Sequence, residues 1–375
     1  MIYNGSSYNE NWKISKLAEL GTFARGVSKH RPRNDPKLFE NGKYPLVQTR
    51  DVKEATLYLS KHEQEYGDFG LKQSKLWNTG TLCITIAANI AETAILAYPM
   101  CFPDSIVGFS AYPEKSSEEF MYYIFEYIKK SIQNAATGSI QDNINLEYLM
   151  SLDFKIPEKK YQDMIVLILS SIDRKILINN AINDNLSAMA YDIYMHNFFS
   201  KKPNAKLKDI LTEAEKSAIQ VGEAKTSNGK YPFFTSGATI LKWNEPFVDG
   251  RNCFLNTGGN ADVKFYVGKA AYSTDTWSIS AKSEMSDYLY LMLFSIKPEL
   301  DQKFFQGTGL KHLQKPLLKD RPIYVPEKLE LEAFNRQVMP MFDIISENTR
   351  ENQQLTSLRD WLLPMLMNGQ ATISD

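Results

Sequence analysis

The sequence contains two related copies of one unit, and this repeat constrains the fold more than any other feature. The pentapeptide NGKYP at residues 41–45 returns 187 residues later, at residues 228–232. Five more pairs of segments keep the same order: Lys16-Leu17 and Lys206-Leu207, Gly80–Cys83 and Gly250–Cys253, Glu119–Phe125 and Asp287–Leu293, Thr137-Gly138 and Thr308-Gly309, and Ile156-Pro157 and Val325-Pro326. Such ordered repetition predicts two diverged copies of roughly 185 residues.

Each copy has the same predicted anatomy. Short apolar runs such as Leu82–Ile86 and Ala94–Tyr98, separated by Gly, Asn and Pro, predict strands and loops. An amphipathic helix follows, at Ser117–Asn134 in copy one and at Ser286–Ser295 in copy two. A Thr-Gly turn, a short strand and a proline then precede a long helical segment. We therefore expect an α/β (α+β) fold with two globular domains.

The two closing helical segments carry seam residues at steps of three or four, which is the spacing of a coiled coil. Polar Asn179, and Asn348 or Asn352, interrupt these seams, as expected if the helices must be held in one register. The alternative is that each helix packs separately on its own domain. The seam positions are Ile165, Leu169, Ile172, Ile176, Asn179, Ile182, Leu186, Met189 and Ile193 in copy one, and Phe334, Val338, Met341, Ile345, Asn348, Asn352, Leu355, Leu358 and Leu362 in copy two.

The composition argues against several classes of protein. Lys and Arg (43) nearly balance Asp and Glu (44), so any nucleic-acid surface must be local. The three cysteines form no CxxC pair and the four histidines form no HExxH motif, which argues against a metal site. No leader or uninterrupted apolar span is visible, so we expect a soluble, cytoplasmic protein without membrane contact.

Positive charge is concentrated in the globular parts. Residues 25–50 carry seven bases against two acids, and residues 303–321 carry five bases against one acid. The last helical segment, residues 327–375, carries four bases against eight acids. Because basic loops can neutralise phosphates, this segregation favours DNA binding by the globular parts, with the helices facing solvent or protein partners.

Three segments carry a resemblance to a known family. They read FLNTGGNADV at residues 254–263, followed by GKAAYS at 268–273; LRDWLLPMLMNG at 358–369; and TGSIQDNIN at 137–145. Over essentially the whole chain, the sequence resembles the specificity subunits of type I restriction–modification systems. The resemblance implies two target-recognition domains with a pseudo-two-fold internal repeat, separated by two long antiparallel helices that form a coiled coil.

This resemblance implies four parts of the chain. Residues 1–157 form target-recognition domain 1, residues 158–200 a first helical spacer, residues 201–326 target-recognition domain 2, and residues 327–375 a second helical spacer. Two recognition domains of different sequence are expected to read two halves of a bipartite, asymmetric DNA target. The helix pair is expected to fix the separation of the two half-sites, as dimer geometry fixes operator spacing in other DNA-binding proteins.

The resemblance also implies a subunit without its own active site. The chain has no Asn/Asp-Pro-Pro-Phe/Tyr motif of amino-group methyltransferases and no readable Ser-His-Asp grouping. No cofactor is expected in this chain, since S-adenosylmethionine, ATP and Mg²⁺ would belong to partner subunits. The expected partners are double-stranded DNA, two modification (methyltransferase) subunits and the restriction (motor) subunits.

Sixteen residues are candidates for DNA contact. Arg can read guanine, Asn or Gln can read adenine, and Lys or Arg can bind phosphates. The alternative for each candidate is an ordinary structural role in a turn or on the protein surface. The candidates are Lys29, Arg31, Arg33, Lys43, Gln48, Arg50, Asn89 and Gln141 in copy one, and Lys230, Thr235, Ser236, Arg251, Asn256, Asn260, Lys311 and His312 in copy two.

Two other functions are compatible with the sequence. The chain could be an orphan specificity subunit whose partners are lost, or a coiled-coil scaffold that carries two ligand-binding modules and does not bind DNA. Genes for modification and motor subunits beside this one would argue against an orphan. Failure to bind DNA with a modification subunit present would favour the scaffold. The sequence leaves the target bases and the length of the unread spacer open.

Overall fold

The structure of the chain, a computed structural model, describes residues 2–138 and 146–371. The contacts divide it into two units: unit 1 is Met1–Leu177 with Gln354–Asp375, and unit 2 is Ile178–Gln353. Each unit therefore combines one α/β domain with a part of each of two long helices.

Unit 1 begins with strands and ends in a long helix. Its strands are β1 (Lys13–Lys16), β2 (Gly21–Arg25), β3 (Tyr44–Leu46), β4 (Tyr58–Leu59), β5 (Gln64–Tyr66), β6 (Leu76–Trp77), β7 (Leu82–Thr85), β8 (Thr93–Leu96), β9 (Met100–Cys101), β10 (Ile106–Ala111) and β11 (Asp153–Ile156). Its helices are α1 (Thr49–Glu54), α2 (Asp68–Lys72), α3 (Glu118–Gly138), α4 (Leu146–Ser151) and the first part of α5 (Lys159–Phe198).

A central sheet with the strand order β2-β10-β7-β8-β4 organises unit 1. Strand β7 is buried along its whole length because both faces of the sheet are covered. Its side chains alternate between two cores, as the period of a strand requires. Leu82 and Ile84 lie in the core that includes α3, whereas Cys83 lies in the core that includes Phe102, Trp77 and other residues near the second sheet. That second sheet has the order β5-β3-β9-β6.

Unit 2 follows the same plan. Its strands are β12 (Ala205–Lys206), β13 (Leu211–Glu213), β14 (Tyr231–Phe234), β15 (Leu241–Trp243), β16 (Arg251–Asn256), β17 (Val263–Val267), β18 (Ala271–Tyr272), β19 (Thr276–Ala281), β20 (Phe305–Gln306), β21 (His312–Leu313) and β22 (Pro322–Ile323). Its helices are α6 (Leu207–Ile210), α7 (Val221–Lys225), α8 (Ser286–Ser295), α9 (Lys297–Glu299), α10 (Lys315–Lys319), the second part of α5, and α11 (Lys328–Met367), whose last part belongs to unit 1.

The strand order confirms the internal repeat. The sheet β13-β19-β16-β17 of unit 2 corresponds strand for strand to β2-β10-β7-β8 of unit 1. Strands β3 and β14 begin at the two tyrosines of the NGKYP repeat, and each has a parallel partner. Leu46 lies opposite Cys101 in unit 1, and Phe233 lies opposite Ala271 in unit 2. The repeated sequence therefore encodes the same sheet topology twice.

The long helices are present as predicted, and with them the predicted α/β fold class is confirmed. Helix α5 begins at Lys159 and helix α11 at Lys328, one residue inside each predicted spacer, and each runs for 40 residues. The two contact-based units cut across both helices, so the four-part division of the chain stays a prediction.

The two helices pair in antiparallel orientation. In unit 2, Asn179 Nδ2 donates to Asn352 Oδ1 at 2.9 Å, and Asn348 Nδ2 donates to Asn183 Oδ1 at 2.8 Å. Residue numbers rise along α5 as they fall along α11, which defines the antiparallel pair. The prediction that asparagines interrupt the seam is confirmed, because Asn179 is fully buried between hydrogen-bonded partners.

The predicted heptad seam is wrong at three positions. Ile182, Met189 and Leu358 are exposed, whereas Ala190 and Tyr194 are buried in the core of unit 2. A helix with 3.6 residues per turn drifts by about 20° for each seven-residue repeat, so a strict heptad pattern leaves the contact face over several turns. Around Met189, packing against the α/β domain of unit 2 selects the neighbouring positions Ala190 and Tyr194 instead.

Candidate nucleic-acid interface

In unit 2, the hairpin loop between β16 and β17 is held from inside by Asn256. This side chain is buried. Its Nδ2 donates to the carbonyls of Gly258, at 2.7 Å, and Asn260, and its Oδ1 accepts from the N–H of Asp262 at 2.7 Å. Gly259 has φ +81°, which glycine adopts at little cost and which permits the tight turn. The arrangement leaves Asn260 exposed at the tip.

A second hairpin, formed by β20 and β21, lies against this loop. The N–H of Gly259 donates to the Lys311 carbonyl at 3.0 Å, and the N–H of Leu313 donates to the Thr257 carbonyl at 3.0 Å. His312 also bridges to Gly258 across the two segments. These backbone contacts place two predicted residues, Lys311 and His312, beside the loop that carries Asn260.

Two carboxylates hold three lysines next to these hairpins. Asp301 accepts from Lys311 Nζ at 2.9 Å, and this bond lowers the pKa of Asp301. Asp262 lies 2.8 Å from Lys297 Nζ and 3.4 Å from Lys264 Nζ. Burial would raise the pKa of Asp262, but the two lysines lower it below its ordinary value. Both carboxylates are therefore ionised at neutral pH, and the cluster keeps one excess positive charge.

The loop after β14 joins the same surface. Lys264 Nζ donates to the carbonyls of Thr235 and Gly237 at 2.8 and 2.7 Å. The hydroxyl of Thr235 accepts from the N–H of Gly237 at 3.1 Å, which fixes the turn. Because Lys264 also reaches Asp262, this loop and the β16–β17 loop are neighbours. Six predicted residues are thus brought together: Thr235, Ser236, Asn256, Asn260, Lys311 and His312.

Unit 1 brings the corresponding loops together. Gln48 precedes Thr235 by the same 187 residues and stands at the start of α1, where its Nε2 donates to Gln64 Oε1 at 3.2 Å. Lys53 of α1 donates to Oδ1 of Asn89, in the β7–β8 loop, at 3.3 Å. Helix α1 therefore joins the loop after β3 to the hairpin loop. Three predicted residues share this surface: Gln48, Arg50 and Asn89.

The basic loop after β2 leaves the same end of the sheet in unit 1. Strand β2 ends at Arg25, on the side where β7 ends and β10 begins. Arg33 forms an ion pair with Asp104 at 2.5 Å, and Arg31 lies 3.8 Å from the same carboxylate. Lys29 is exposed. Asp104 comes from a distant part of the sequence, so the folded loop is less positive than residues 25–50 suggest.

Two predicted lysines do not join these surfaces, and one predicted glutamine lies outside the described residues. Lys43 lies 3.3 Å from Asp68, and Lys230 Nζ lies 5.2 Å from the centre of the Tyr231 ring. Both lysines stand at the starts of β3 and β14, whereas the loops described above follow the ends of those strands. Gln141 lies outside the residues that the structure describes.

Arg251 connects elements inside unit 2. Its Nε and Nη2 donate to Asp287 at 2.6 and 2.8 Å, its Nη1 donates to Asp343 at 2.6 Å, and its Nη2 also donates to the Met339 carbonyl at 2.8 Å. Burial would lower the pKa of Arg251, but the bonds with Asp287 raise it. Its side chain is 17% exposed. Since all three guanidinium nitrogens have partners in the domain, we leave Arg251 out of the proposed interface.

Three lysines of these surfaces were missed by sequence reasoning. Lys53, Lys264 and Lys297 lie in α1, β17 and α9 rather than in loops. A single lysine within a helix or strand gives no sequence signal that separates it from an ordinary surface charge. Only the tertiary structure places these side chains beside the loops, through the contacts of Lys53 with Asn89 and of Lys264 and Lys297 with Asp262.

The described residues, 2–138 and 146–371, contain neither a cluster of metal ligands nor a helix that could span a membrane. No group of three or more His, Cys, Asp or Glu side chains is arranged to hold a metal ion. No helix combines the length and the apolar character that a membrane span requires.

Comparison with protein families matches the chain twice. The model of the type I restriction modification DNA specificity domain matches residues 9–188 and residues 201–356. The two matched regions follow the two copies found in the sequence and in the strand order. Together they cover most of the chain.

Individual relatives agree with this match. The chain is 20% identical to the type I restriction enzyme MjaIX specificity subunit of Methanocaldococcus jannaschii, over 98% of this chain and 95% of that protein. It is 33% identical to the HindI specificity subunit of Haemophilus influenzae, over 25% of this chain and 21% of that protein. The fold is similar to that of a crystallised type I restriction–modification S subunit from M. genitalium, with a TM-score of 0.63, 15% identity and full coverage of both chains. The chain therefore belongs to the type I restriction–modification DNA specificity family.

Proposed function

We propose that this chain selects the DNA target of a type I restriction–modification complex, by reading a bipartite and asymmetric sequence. One observation carries the proposal: both units bring the loop after the repeated Tyr-Pro strand beside a hairpin loop of the central sheet. The two surfaces differ in their side chains, with Gln48 and Asn89 in unit 1 against Thr235 and Asn260 in unit 2. Different side chains at equivalent positions would read different half-sites.

Within each surface, lysines and amides would divide the work. Lys53 in unit 1 and Lys297 and Lys311 in unit 2 would bind phosphates, which orients the protein without reading sequence. Lys264 would instead hold the loop after β14 in place, since its Nζ already contacts Asp262 and the carbonyls of Thr235 and Gly237. Exposed amides such as that of Asn260 present a paired donor and acceptor, which matches the major-groove edge of adenine. The carboxylates beside the lysines would keep the net charge low, so that binding depends on the fit of both half-sites.

The two long helices would act as a spacer. Forty helical residues correspond to about 60 Å at 1.5 Å per residue. Such a helix pair would hold the two half-sites at one separation and leave the DNA between them unread. The hydrogen-bonded asparagines of the pair support this role, because a polar contact in a seam fixes the register of two helices.

Catalysis would lie in partner subunits. We propose that two modification subunits and the restriction subunits assemble with this chain and supply S-adenosylmethionine, ATP and Mg²⁺ chemistry, while this chain supplies sequence selection alone. Exposed apolar residues of α5, such as Leu167, are candidates for contact with a modification subunit. Tyr191 is a weaker candidate, since its ring packs edge-on against Phe294 at 5.6 Å.

Methylation of host DNA tests the proposal. The chain is co-expressed with a modification subunit from the same genome, and the methylated bases are located by single-molecule sequencing. A bipartite motif with one methylated base in each half is the expected result. Unmethylated DNA in spite of a stable complex would contradict the proposal. It would favour an orphan subunit, or a scaffold that does not bind DNA.

A further inference from the structure

Leu310 is an exposed apolar residue in the middle of the candidate interface of unit 2. Its side chain is 65% exposed. It lies in the turn between β20 and β21, directly before Lys311 and His312. With this exposure, Leu310 is not part of the buried core of unit 2.

The turn that carries Leu310 is anchored on both sides. At its base, Phe305 lies opposite Leu313, and both side chains are buried. Within the turn, Gly307 has φ +153°, and a Cβ there would come within 2.5 Å of the Leu310 carbonyl, so the tight turn requires glycine. The backbone bond from Gly259 to Lys311 fixes the far side. Leu310 is therefore presented at a defined place.

The space beside two of the neighbouring glycines is open, whereas a Cβ at Gly258 would lie 3.7 Å from Leu310 Cδ2. A Cβ added at Gly259 or at Gly309 would meet no atom within 4 Å. Glycines at such points allow a ligand to approach the backbone closely. The neighbouring Lys311 and His312 are polar or charged, so the turn combines an apolar tip with flanks suited to a phosphate backbone.

We propose that Leu310 is a specificity-determining residue, which reads one base of the second half-site by apolar contact. This inference rests on the proposed function. Proteins use apolar side chains in DNA recognition in two ways: contact with the methyl group of thymine, or insertion beside a partly unstacked base. In both cases an apolar side chain contacts a base. An amide would instead read a polar base edge, and a lysine would bind a phosphate.

The test compares Leu310→Ala with Leu317→Ala in the complex with the modification subunit. Leu317 is a matched control, because it is also a leucine of unit 2 with an exposed side chain, at 49%, and it lies in helix α10. We expect Leu310→Ala to relax the methylated motif at one position, or at two adjacent positions, of one half-site. Discrimination there should fall by about fivefold or more, as for loss of one base contact. Leu317→Ala should leave the motif unchanged.

A second measurement separates the two kinds of base contact. Uracil replaces each thymine of the second half-site in synthetic duplexes, which removes one methyl group at a time. If wild-type protein loses affinity at one position and Leu310→Ala does not, Leu310 contacts that methyl group. If uracil has no effect but Leu310→Ala abolishes the fluorescence increase of 2-aminopurine at one step, Leu310 lies beside an unstacked base.

Three outcomes would overturn the inference. An unchanged motif with Leu310→Ala would remove Leu310 from base recognition and leave the proposed function intact. Loss of complex formation with the modification subunit would assign Leu310 to a protein contact. If the wild-type complex methylates no bipartite motif, the proposed function fails, and this inference fails with it.

Discussion

Asn179 and Asn352 form one of two hydrogen bonds that are related by the internal repeat. Asn179 Nδ2 donates to Asn352 Oδ1 at 2.9 Å. In the internal repeat, a shift of 169 residues relates Asn179 to Asn348 and Asn183 to Asn352. The second hydrogen bond follows the same relation, because Asn348 Nδ2 donates to Asn183 Oδ1 at 2.8 Å. The same shift relates Ile156-Pro157 to Val325-Pro326. The polar contact between the helices is therefore a duplicated feature, formed when each copy supplies the same two asparagines.

Substitution of Asn179 tests how much this contact contributes to the stability of the chain. Asn179→Ala removes donors to Asn352 and to Glu351 Oε2, and it leaves polar groups with fewer partners in a buried place. We expect the free energy of unfolding to fall by about 1–2 kcal/mol, measured by chemical denaturation of the full chain. Asn185→Ala, on the exposed side of the same helix, should change it by less than about 0.5 kcal/mol. Equal effects of the two variants would contradict the assignment.

Substitution of Asn256 and Asn260 separates support of the loop from contact with DNA. Asn256→Ala removes the bonds that hold the hairpin loop, so we expect a loss of about 1–3 kcal/mol of stability and loss of recognition of one half-site. Asn260→Ala should leave the melting temperature unchanged and affect recognition alone, since Asn260 is exposed. Calorimetry and methylation mapping provide the two measurements. A recognition defect confined to Asn256→Ala would show that Asn260 contacts no base.

The buried ion pair of Arg251 predicts a large effect on stability. Arg251→Met leaves Asp287 fully buried without its partner, so we expect unit 2 to lose roughly 3–5 kcal/mol. Asp343→Asn should cost less than about 1 kcal/mol, because the Asp343 side chain is 48% exposed. Calorimetry of the full chain measures both. If Arg251→Met instead changed DNA recognition at full stability, Arg251 would return to the interface.

The ion pair of Arg251 and Asp287 also predicts that the destabilisation by Arg251→Met depends on pH. Burial raises the pKa of Asp287 even in the presence of Arg251, and loss of Arg251 should raise this pKa further. When the pKa of a carboxyl group is higher in the folded state than in the unfolded state, the folded protein loses stability as pH rises through that pKa. The destabilisation by Arg251→Met should therefore be smaller at pH 4 than at pH 8. An equal loss at both values would indicate that Asp287 finds another partner.

The contacts of Glu330 predict a pH dependence opposite to that of Asp287, because they stabilise the charged carboxylate. Hydrogen bonds from Tyr324 and Lys201 lower the pKa of Glu330 to about 2. Its contribution is fully present above the ordinary glutamate pKa of about 4.3, and it is lost as pH falls from there toward 2. Melting temperatures of wild type should fall more steeply over this range than those of Glu330→Gln. Glu332→Gln is the control, and it should follow wild type.

Insertion into both long helices tests the spacer. Seven residues added to α5 directly before Asn179 and to α11 directly after Asn352, where the two helices lie opposite each other, extend each helix by about 10 Å. We expect the unread gap between the half-sites to grow by about three base pairs at about 3.4 Å each. Insertion into one helix alone should disrupt pairing and abolish methylation. A bipartite motif with an unchanged gap would refute the role of the helix pair as a spacer.

Features written in local sequence were predictable. The repeat, the two long helices and the asparagines of the seam all follow from the spacing of residue types. The exact face of a long helix was not predictable, as Ile182 and Met189 show. Small drifts accumulate over ten turns, and the packed domain decides which side is buried.

Distant contacts were decided by the tertiary structure alone. Lys264 meets Thr235 across 29 residues of sequence, and Arg251 meets Asp343 across 92. The sequence marked Thr235 and Arg251 equally as candidates, because both are polar residues near predicted loops. Strand register places the first beside an exposed hairpin and the second against a helix. The sequence by itself determined that the chain is two copies of one unit, since the repeated segments can be recognised without the fold, and its motifs resemble those of specificity subunits. Which side chains face outward depends on partners far along the chain, and only folding brings these together.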